Sequence, residues 1–431
     1  MTSSDSTTPA RGVFRSLRVR NYRLFASANM VSLIGTWMQR IGQDWLVLQL
    51  SGDNGVALGL VTALQFAPGL ALSMYGGVLA DRYPKRRTLL ITQALMGALA
   101  LTLGLLVATG SVALWHVLLL AAALGSVSAI DIPVRQTFVS EMVGPDLLTN
   151  AVGLNSSIFN GARLVGPAVA GVLIGAASGN TAPAFLINAG SFAATMIALL
   201  AMRPGELFTV PPVARARGQL RAGLAYTWAR PDLRLALGLA FLAGSFGLST
   251  QVTIALMARQ QFGLGAEAFG LLTTAFAVGS LSGALLAARR TRRPDERFLA
   301  AAVGLFGVAL VVAGLMPVYV LFAIALVPVG LTAMTFTVAN NTFVQLGVEP
   351  AMRGRVMALY FMCLTGGLPI GSPVLGVIGQ HLGAPWAFVI SGLLMAGSGL
   401  VAAGWLTRRR AAAAADVGSL SRDVVPATER A

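Results

Sequence analysis

The sequence predicts an all-α, polytopic membrane protein whose twelve transmembrane helices form two pseudo-symmetric six-helix bundles, and three observations predict it. Basic residues gather in every second gap between long apolar runs: Arg82, Lys85, Arg86 and Arg87 fill one, Arg215, Arg217 and Arg221 a later one, and Arg289, Arg290, Arg292 and Arg293 a third. The gaps between, such as 51–56, 110–113, 178–182 and 381–385, hold no Lys or Arg. Cytoplasmic loops carry this excess because basic side chains resist translocation. Composition is the second observation: 56% hydrophobic, 11% charged and a mean hydropathy of +0.75 exclude a soluble domain, whose charged fraction is about a quarter. The third is an internal repeat. Thr137-Phe138-Val139 recurs as Thr342-Phe343-Val344, and the same separation carries Pro145 onto Pro350, Leu154 onto Leu359, Gly161 onto Gly366, Gly166 onto Gly371 and Gly171 onto Gly376. Average residue frequencies supply fewer coincidences than this. Six spans separate equivalent points, so the copies share one orientation about an axis along the bilayer normal.

The apolar runs place spans near Leu24 to Leu50, Ala57 to Ala80, Thr88 to Thr109, Leu114 to Arg135, Asn150 to Ala177 and Pro183 to Met202. A second set follows near Leu235 to Arg259, Ala268 to Ala288, Phe298 to Met316, Tyr319 to Val344, Arg355 to Gln380 and Trp386 to Leu406. Each matches the ~20 residues a bilayer crossing needs. The even count puts both termini on one side, and Arg11, Arg15, Arg18, Arg20, Arg23, Arg408, Arg409 and Arg410 make that side the cytoplasm. The expected organisation is a cytoplasmic N-terminal segment (1–23), a first bundle (24–203), a cytoplasmic linker (204–234), a second bundle (235–406) and a disordered, Ala-rich cytoplasmic tail (407–431). Within the linker, Leu220, Leu224 and Trp228 recur at helical spacing beside Arg217 and Arg221, the pattern of an amphipathic helix on the membrane surface. The net charge of +15 is accounted for by basic loops lying against an anionic inner leaflet, and nucleic acid is excluded as a partner. Cys363 is the only cysteine, so the chain has no internal disulfide.

The loop after the second span reads Gly77-Val78-Leu79-Ala80-Asp81-Arg82-Tyr83-Pro84-Lys85-Arg86-Arg87. It resembles the hallmark of the major facilitator superfamily at this place: a glycine, an Asp-Arg pair and a basic cluster. Ser16-Leu17-Arg18, Gly35-Thr36-Trp37-Met38-Gln39-Arg40, Asp131-Ile132-Pro133-Val134-Arg135-Gln136 and Arg353-Gly354-Arg355-Val356 make the whole chain similar to the exporter branch that contains the enterobactin exporter and related drug-efflux proteins. The resemblance implies the major facilitator fold, alternating access and a gating role for Gly77, Asp81, Arg82 and Arg86, with Asp81 docking near Arg353 and Arg355. Gly166-Pro167 resembles the signature of the superfamily's antiporters.

Charges inside a bilayer are costly and mark functional positions. Arg40 and Asp44 stand one turn apart on the first span, with Asn29, Thr36, Trp37 and Gln43 along nearly the same side. Asp131 and Arg135 repeat the spacing near the inner end of the fourth span, as a helix lock or an inner gate. Asn155, Asn160 and Arg163 lead into Gly166-Pro167 on the fifth. Proton coupling is assigned first to Asp44, beside Arg40, and second to Asp131. A substrate cavity lined by the first, fourth, fifth, seventh and tenth spans takes Asn29, Thr36, Trp37, Gln43, Asn155, Asn160 and Arg163 from the first half. From the second it takes Ser245, Ser249, Thr337, Asn340 and Asn341.

These readings converge on a secondary active exporter of a small organic molecule in a bacterial cytoplasmic membrane, working as a monomer with a proton as co-reactant. The one excess positive charge within the spans favours anionic or amphiphilic cargo of the siderophore kind. An importer of the same fold is the alternative within the class, and a membrane enzyme or sensor the alternative outside it. His116 and His381 lie near outer span ends without a cluster of metal-ligating or nucleophilic partners, so no metal, cofactor or catalytic centre is expected.

Overall fold

The computed structural model describes residues 14–208, 219–290 and 292–423, with the side chains at 73–81, 219–220 and 410–423 outside the description. The topology arginines Arg11, Arg215 and Arg217 also lie outside it. Among the described residues the chain is helical throughout, without strands. Its elements are α1 (Arg20–Ser51), α2 (Gly55–Arg82), α3 (Lys85–Ala108), α4 (Leu114–Ala176), α5 (Ala182–Leu200), α6 (Gln219–Ala229), α7 (Pro231–Gln261), α8 (Ala266–Ala288), α9 (Glu296–Gly314), α10 (Tyr319–Gly347), α11 (Pro350–Leu382) and α12 (Ala384–Asp423). Ten of the described helices are long and apolar enough to cross a membrane. One of them, α4, is two spans joined end to end, and α1 falls below that test because of its polar stripe. With the two arms of α4 counted separately and α1 added, the described helices supply one segment for each of the twelve predicted spans.

The junction inside α4 is built from two residues. Gly144 takes φ 69° and ψ 177°, a backbone region closed to side chains. Pro145 follows and has no N–H, which leaves the carbonyl of Glu141 without its helical donor. The N–H of Phe208 supplies one at 2.8 Å, so the chain leaving α5 folds back over the break. The sequence reading puts a connection across 136–149. Instead both arms, 114–143 and 145–176, stay helical up to this single residue, because a helix is free to project past the hydrocarbon layer that apolar runs measure.

Two further elements depart from expectation. The expected disordered tail is helical through Asp423. Its run Ala411 to Ala415 consists of the strongest helix former, and the preceding span supplies the nucleus that an isolated segment lacks. In α7 the α-helical pattern is interrupted by π-helical turns over Ala243–Gly247 and Met257–Gln261. A helix, α6, stands where the sequence places the linker helix. Its Gly223 and Thr227 face the start of α11, where a Cβ on Gly223 would stand 3.0 Å from that of Arg355, while Leu224 and Trp228 stay exposed.

The chain separates into two compact units. The first comprises the described parts of Met1–Leu50, Ala67–Ala214 and Gly265–Gly270; the second those of Ser51–Phe66, Arg215–Leu264 and Leu271–Ala431. The first unit has a core of Tyr22, Phe25, Leu89, Val134, Phe138 and Met142, and the Tyr22 hydroxyl donates to the carbonyl of Ala151 at 2.8 Å. The glycines at Gly171 and Gly270 let their backbones meet inside it. In the second unit the opening turns of α2 pack on α11 at Gly55, Gly59 and Gly376, whose missing side chains leave room for backbone contact. At the same end Arg259 Nε donates to Asp53 Oδ1 at 2.8 Å.

Candidate functional site

The polar stripe of α1 is the feature that separates it from the other spans, and the structure shows what it faces. Gly166, on the second arm of α4, lies so close to α1 that a Cβ there would stand 2.6 Å from the Cβ of Trp37 and 2.9 Å from the carbonyl of Ile34. Only glycine permits that approach. It brings Arg163, one turn before Gly166, to the Trp37 ring. The guanidinium carbon of Arg40 lies 4.7 Å from the ring centroid and that of Arg163 5.5 Å, both within cation–π range. Phe159, one further turn back on α4, meets the same indole edge to face with centroids 5.9 Å apart. Trp37 thus holds two arginines near one another, and their charges repel.

Asp44, at 5% exposure, is the carboxylate that offsets this pair, and it interacts with Arg40 one turn before it. Gln43 is buried beside them with its Nε2 donor unpaired. The sequence-predicted residues Trp37, Arg40, Gln43, Asp44 and Arg163 are therefore brought together in the first unit. Thr36 is not spare: its hydroxyl donates to the carbonyl of Ser32 at 2.8 Å. Asn160 likewise donates to its own helix, at Ser156. The opposite face of α1 is closed by α5, where Asn188 donates to Gln39 and accepts from Ser191 at 2.9 Å.

About 16 Å along α1, given 1.5 Å per residue, Asn29 belongs to a second constellation. Asp131 Oδ1 accepts from Thr92 Oγ1 at 2.7 Å and Gln93 Nε2 at 2.9 Å; Oδ2 accepts from Arg135 Nε at 2.9 Å and Nη2 at 2.7 Å. Arg135 Nη1 donates to Asn29 Oδ1, and Asn29 Nδ2 donates to Asn155 Oδ1 at 3.1 Å. A buried carboxylate with four donors, two of them from one bidentate arginine, is a rigid tie between α1, α3 and both arms of α4.

The second-half candidates are placed differently. Ser245 and Ser249 sit on the irregular part of α7, buried against α11: a Cβ on Gly371 would stand 1.7 Å from the carbonyl oxygen of Ser245, and Ser372 Oγ donates to Ser249 Oγ at 3.1 Å. Both serines are packed where two backbones touch. Asn340 is also buried and donates to the carbonyl of Ala236 at 3.0 Å. Thr337 donates to Ala333, and Asn341 accepts from Gln345 at 2.7 Å.

Of the gating candidates, Gly77 and Asp81 lie where side chains are outside the described residues. Arg82 and Arg353 are exposed, and Arg355 reaches the sulfur of Met352. Lys85 pairs with Glu141, and Arg86 donates to the carbonyls of Leu199 at 2.7 Å and Leu200 at 3.1 Å, closing the C-terminus of α5. Arg230, before α7, does the same for α10 through the carbonyl of Gly347 at 2.8 Å; its hydrogen-bonded partner Asp232 holds that guanidinium above its ordinary pKa.

Residues 11–428 match the family model described as "transmembrane secretion effector". The chain belongs to this family of major facilitator transporters. It is 26% identical over 377 residues to the staphyloferrin A transporter of Staphylococcus aureus, covering 86% of this chain and 92% of the relative. It is 25% identical over 368 residues to the enterobactin exporter EntS of Shigella boydii, covering 84% and 86%. The fold also matches a bacterial homologue of the human lysosomal transporter Spinster, with a TM-score of 0.69 at 16% identity over 89% of this chain and 97% of that one. The nucleoside transporter NupG aligns at 0.67 and 14% identity over 90% and 98%. The protein is a multi-pass membrane transporter.

Sequence reasoning about this transporter missed Phe159, Thr92 and Gln93. An aromatic in an apolar span carries no signal. Thr92-Gln93 does: two adjacent polar residues inside the run of α3 need buried partners, and Asp131 is theirs.

Proposed function

We propose that this transporter exports a small anionic or amphiphilic molecule of the siderophore class across a bacterial cytoplasmic membrane, in exchange for protons and by alternating access. One observation carries the reading: Trp37 gathers Arg40 and Arg163 beside a single carboxylate, Asp44, inside the first unit. Two guanidiniums against one acid leave a net positive charge in a place where charge is costly. An anionic cargo is attracted to this cationic cluster, and the indole and Phe159 supply a surface for its apolar or aromatic part. Cargo and Asp44 then compete for Arg40. A carboxylate released from its arginine is the group that takes up a proton, which links cargo movement to the proton gradient. Asp131 is less suited to that task because four donors already fix its oxygens. Support for siderophore cargo and for export comes from the relatives, which include an enterobactin exporter. The basic loops and helix ends support cytoplasmic termini, and the bundle is proposed to act as a monomer without enzymatic chemistry.

The test is transport into inverted membrane vesicles, with enterobactin and staphyloferrin A as probes. Export appears as uptake that needs an imposed pH gradient. Asp44→Asn is expected to remove the gradient dependence and Arg163→Gln to remove uptake. Uptake of either probe that is unchanged in Asp44→Asn and indifferent to the gradient would rule out coupling through this residue.

A further inference from the structure

The basic loop joining α2 to α3 and its repeat counterpart joining α8 to α9 are satisfied in unlike ways. In the first, Lys85 is paired with Glu141. The separation that relates Thr137 to Thr342 also relates Lys85 to Arg290 and Glu141 to Leu346. The second half keeps the cation and lacks the acid. Where the ion pair would stand there is a cavity of about 530 Å³, lined by both Arg290 and Leu346 together with Arg292, Arg293, Leu286 and Val338. No acidic side chain lines it.

The nearby acids are already engaged. Asp295 accepts from the N–H of Phe298 at 3.0 Å, and Glu296 pairs with Arg409 at 3.7 Å. Among the described residues Arg290, Arg292 and Arg293 form no ion pair. Arg290 is held with its guanidinium carbon 3.4 Å from the centroid of the Phe298 ring. Arg293 extends to the end of α10, yet the carbonyl of Gly347 is already capped by Arg230. A cationic rim thus stands over an apolar wall in which Leu286 and Leu346 are each more than half exposed.

We propose that this cavity binds one anionic phospholipid, with its phosphate among Arg290, Arg292 and Arg293 and its acyl chain along Leu286, Val338 and Leu346. The rim lies on the basic side of the protein, where the charge bias puts the cytoplasmic leaflet and its anionic headgroups. The volume is that of a ligand site, roughly 300 to 1,000 Å³. A soluble anion would use the rim and leave the exposed leucines uncovered, whereas a lipid covers both.

Native mass spectrometry of the full-length transporter, offered phosphatidylglycerol or phosphatidylcholine, tests this. One phosphatidylglycerol is expected to be retained with a preference of about ten-fold or more. Leu346→Glu gives Arg290 an internal acid at an exposed position and is expected to abolish the preference. Val338→Phe, which narrows the cavity without changing charge, is expected to weaken retention of the lipid. Arg18→Gln removes the same unit of charge elsewhere and is expected to leave retention unchanged. Equal retention of the two lipids, a preference that survives Leu346→Glu, or displacement by millimolar glycerophosphate would overturn the proposal.

Discussion

In the first unit Gly166 brings the second arm of α4 against α1, and the side chains at that crossing are Trp37, Arg40, Asp44 and Arg163. In the second, the repeat-related Gly371 brings α11 against α7, and the side chains there are Ser245, Ser249 and Ser372. The repeat separation carries Arg40 onto Ser245 and Asp44 onto Ser249, so the one-turn spacing is kept and the charge removed. Both crossings need the glycine because the facing backbone or Cβ leaves no room for a side chain. The side chains beside them differ, charged in the first unit and hydroxyl in the second.

The largest way to break this comparison is at the charges. Arg40→Met leaves Asp44 without its partner and is expected to cost about 3–5 kcal/mol of stability, read as a fall in unfolding temperature in detergent. The double variant Arg40→Met/Asp44→Met is expected to recover most of that stability and none of the transport. Arg163→Gln is expected to reduce transport about 30-fold or more, the equivalent of 2 kcal/mol for a truncated buried charge contact. If transport survives in both, the charged crossing is only structural.

The glycines come next. Gly371→Ala would set a methyl 1.7 Å from the carbonyl oxygen of Ser245, and Gly166→Ala one 2.6 Å from the Trp37 Cβ. Each is expected to cost roughly 1–3 kcal/mol through displaced helices. Transport kinetics separate them: only Gly166→Ala moves the indole that holds the arginines, so it should lower transport by more than its stability loss explains.

Smaller effects sharpen the contrast between the basic loops. Lys85→Met leaves Glu141 half-buried and alone, for an expected loss of about 1–3 kcal/mol, whereas Lys85→Met/Glu141→Leu, the apolar arrangement approached in the second half, should be close to wild type by thermal unfolding. The smallest loss is expected of Ser245→Ala. Its hydroxyl oxygen is buried without a partner, so the variant should be no less stable than wild type, relieved of up to about 1–3 kcal/mol of desolvation cost, and transport be unaltered in the vesicle assay.

Much of this architecture was legible from the chain because lipid imposes a simple rule on it. Apolar runs, alternate basic gaps and the Thr137/Thr342 repeat give the spans, and α6 follows from Leu220, Leu224 and Trp228. What hydropathy does not register is helix beyond the membrane. Gln136, Ser140 and Glu141 read as a loop, yet they continue the first arm of α4 up to Gly144. The π-helical turns of α7 were hidden as well, since they leave no compositional trace. Arg40, Asp44 and Arg163 stood out because charge in a span needs a reason. Ser245 and Ser249 are harder to read, since a small polar side chain suits a cavity wall or a close helix contact equally, and the close backbone approach at Gly371 shows only in the structure.

Lys85 is the single lysine of the chain and Cys363 its single cysteine. Amine reagents therefore address one side chain on the first unit and thiol reagents one on the second, without any engineered label. Because the lysine is tied to Glu141, its acylation rate becomes a native gauge of how often that contact opens during the transport cycle.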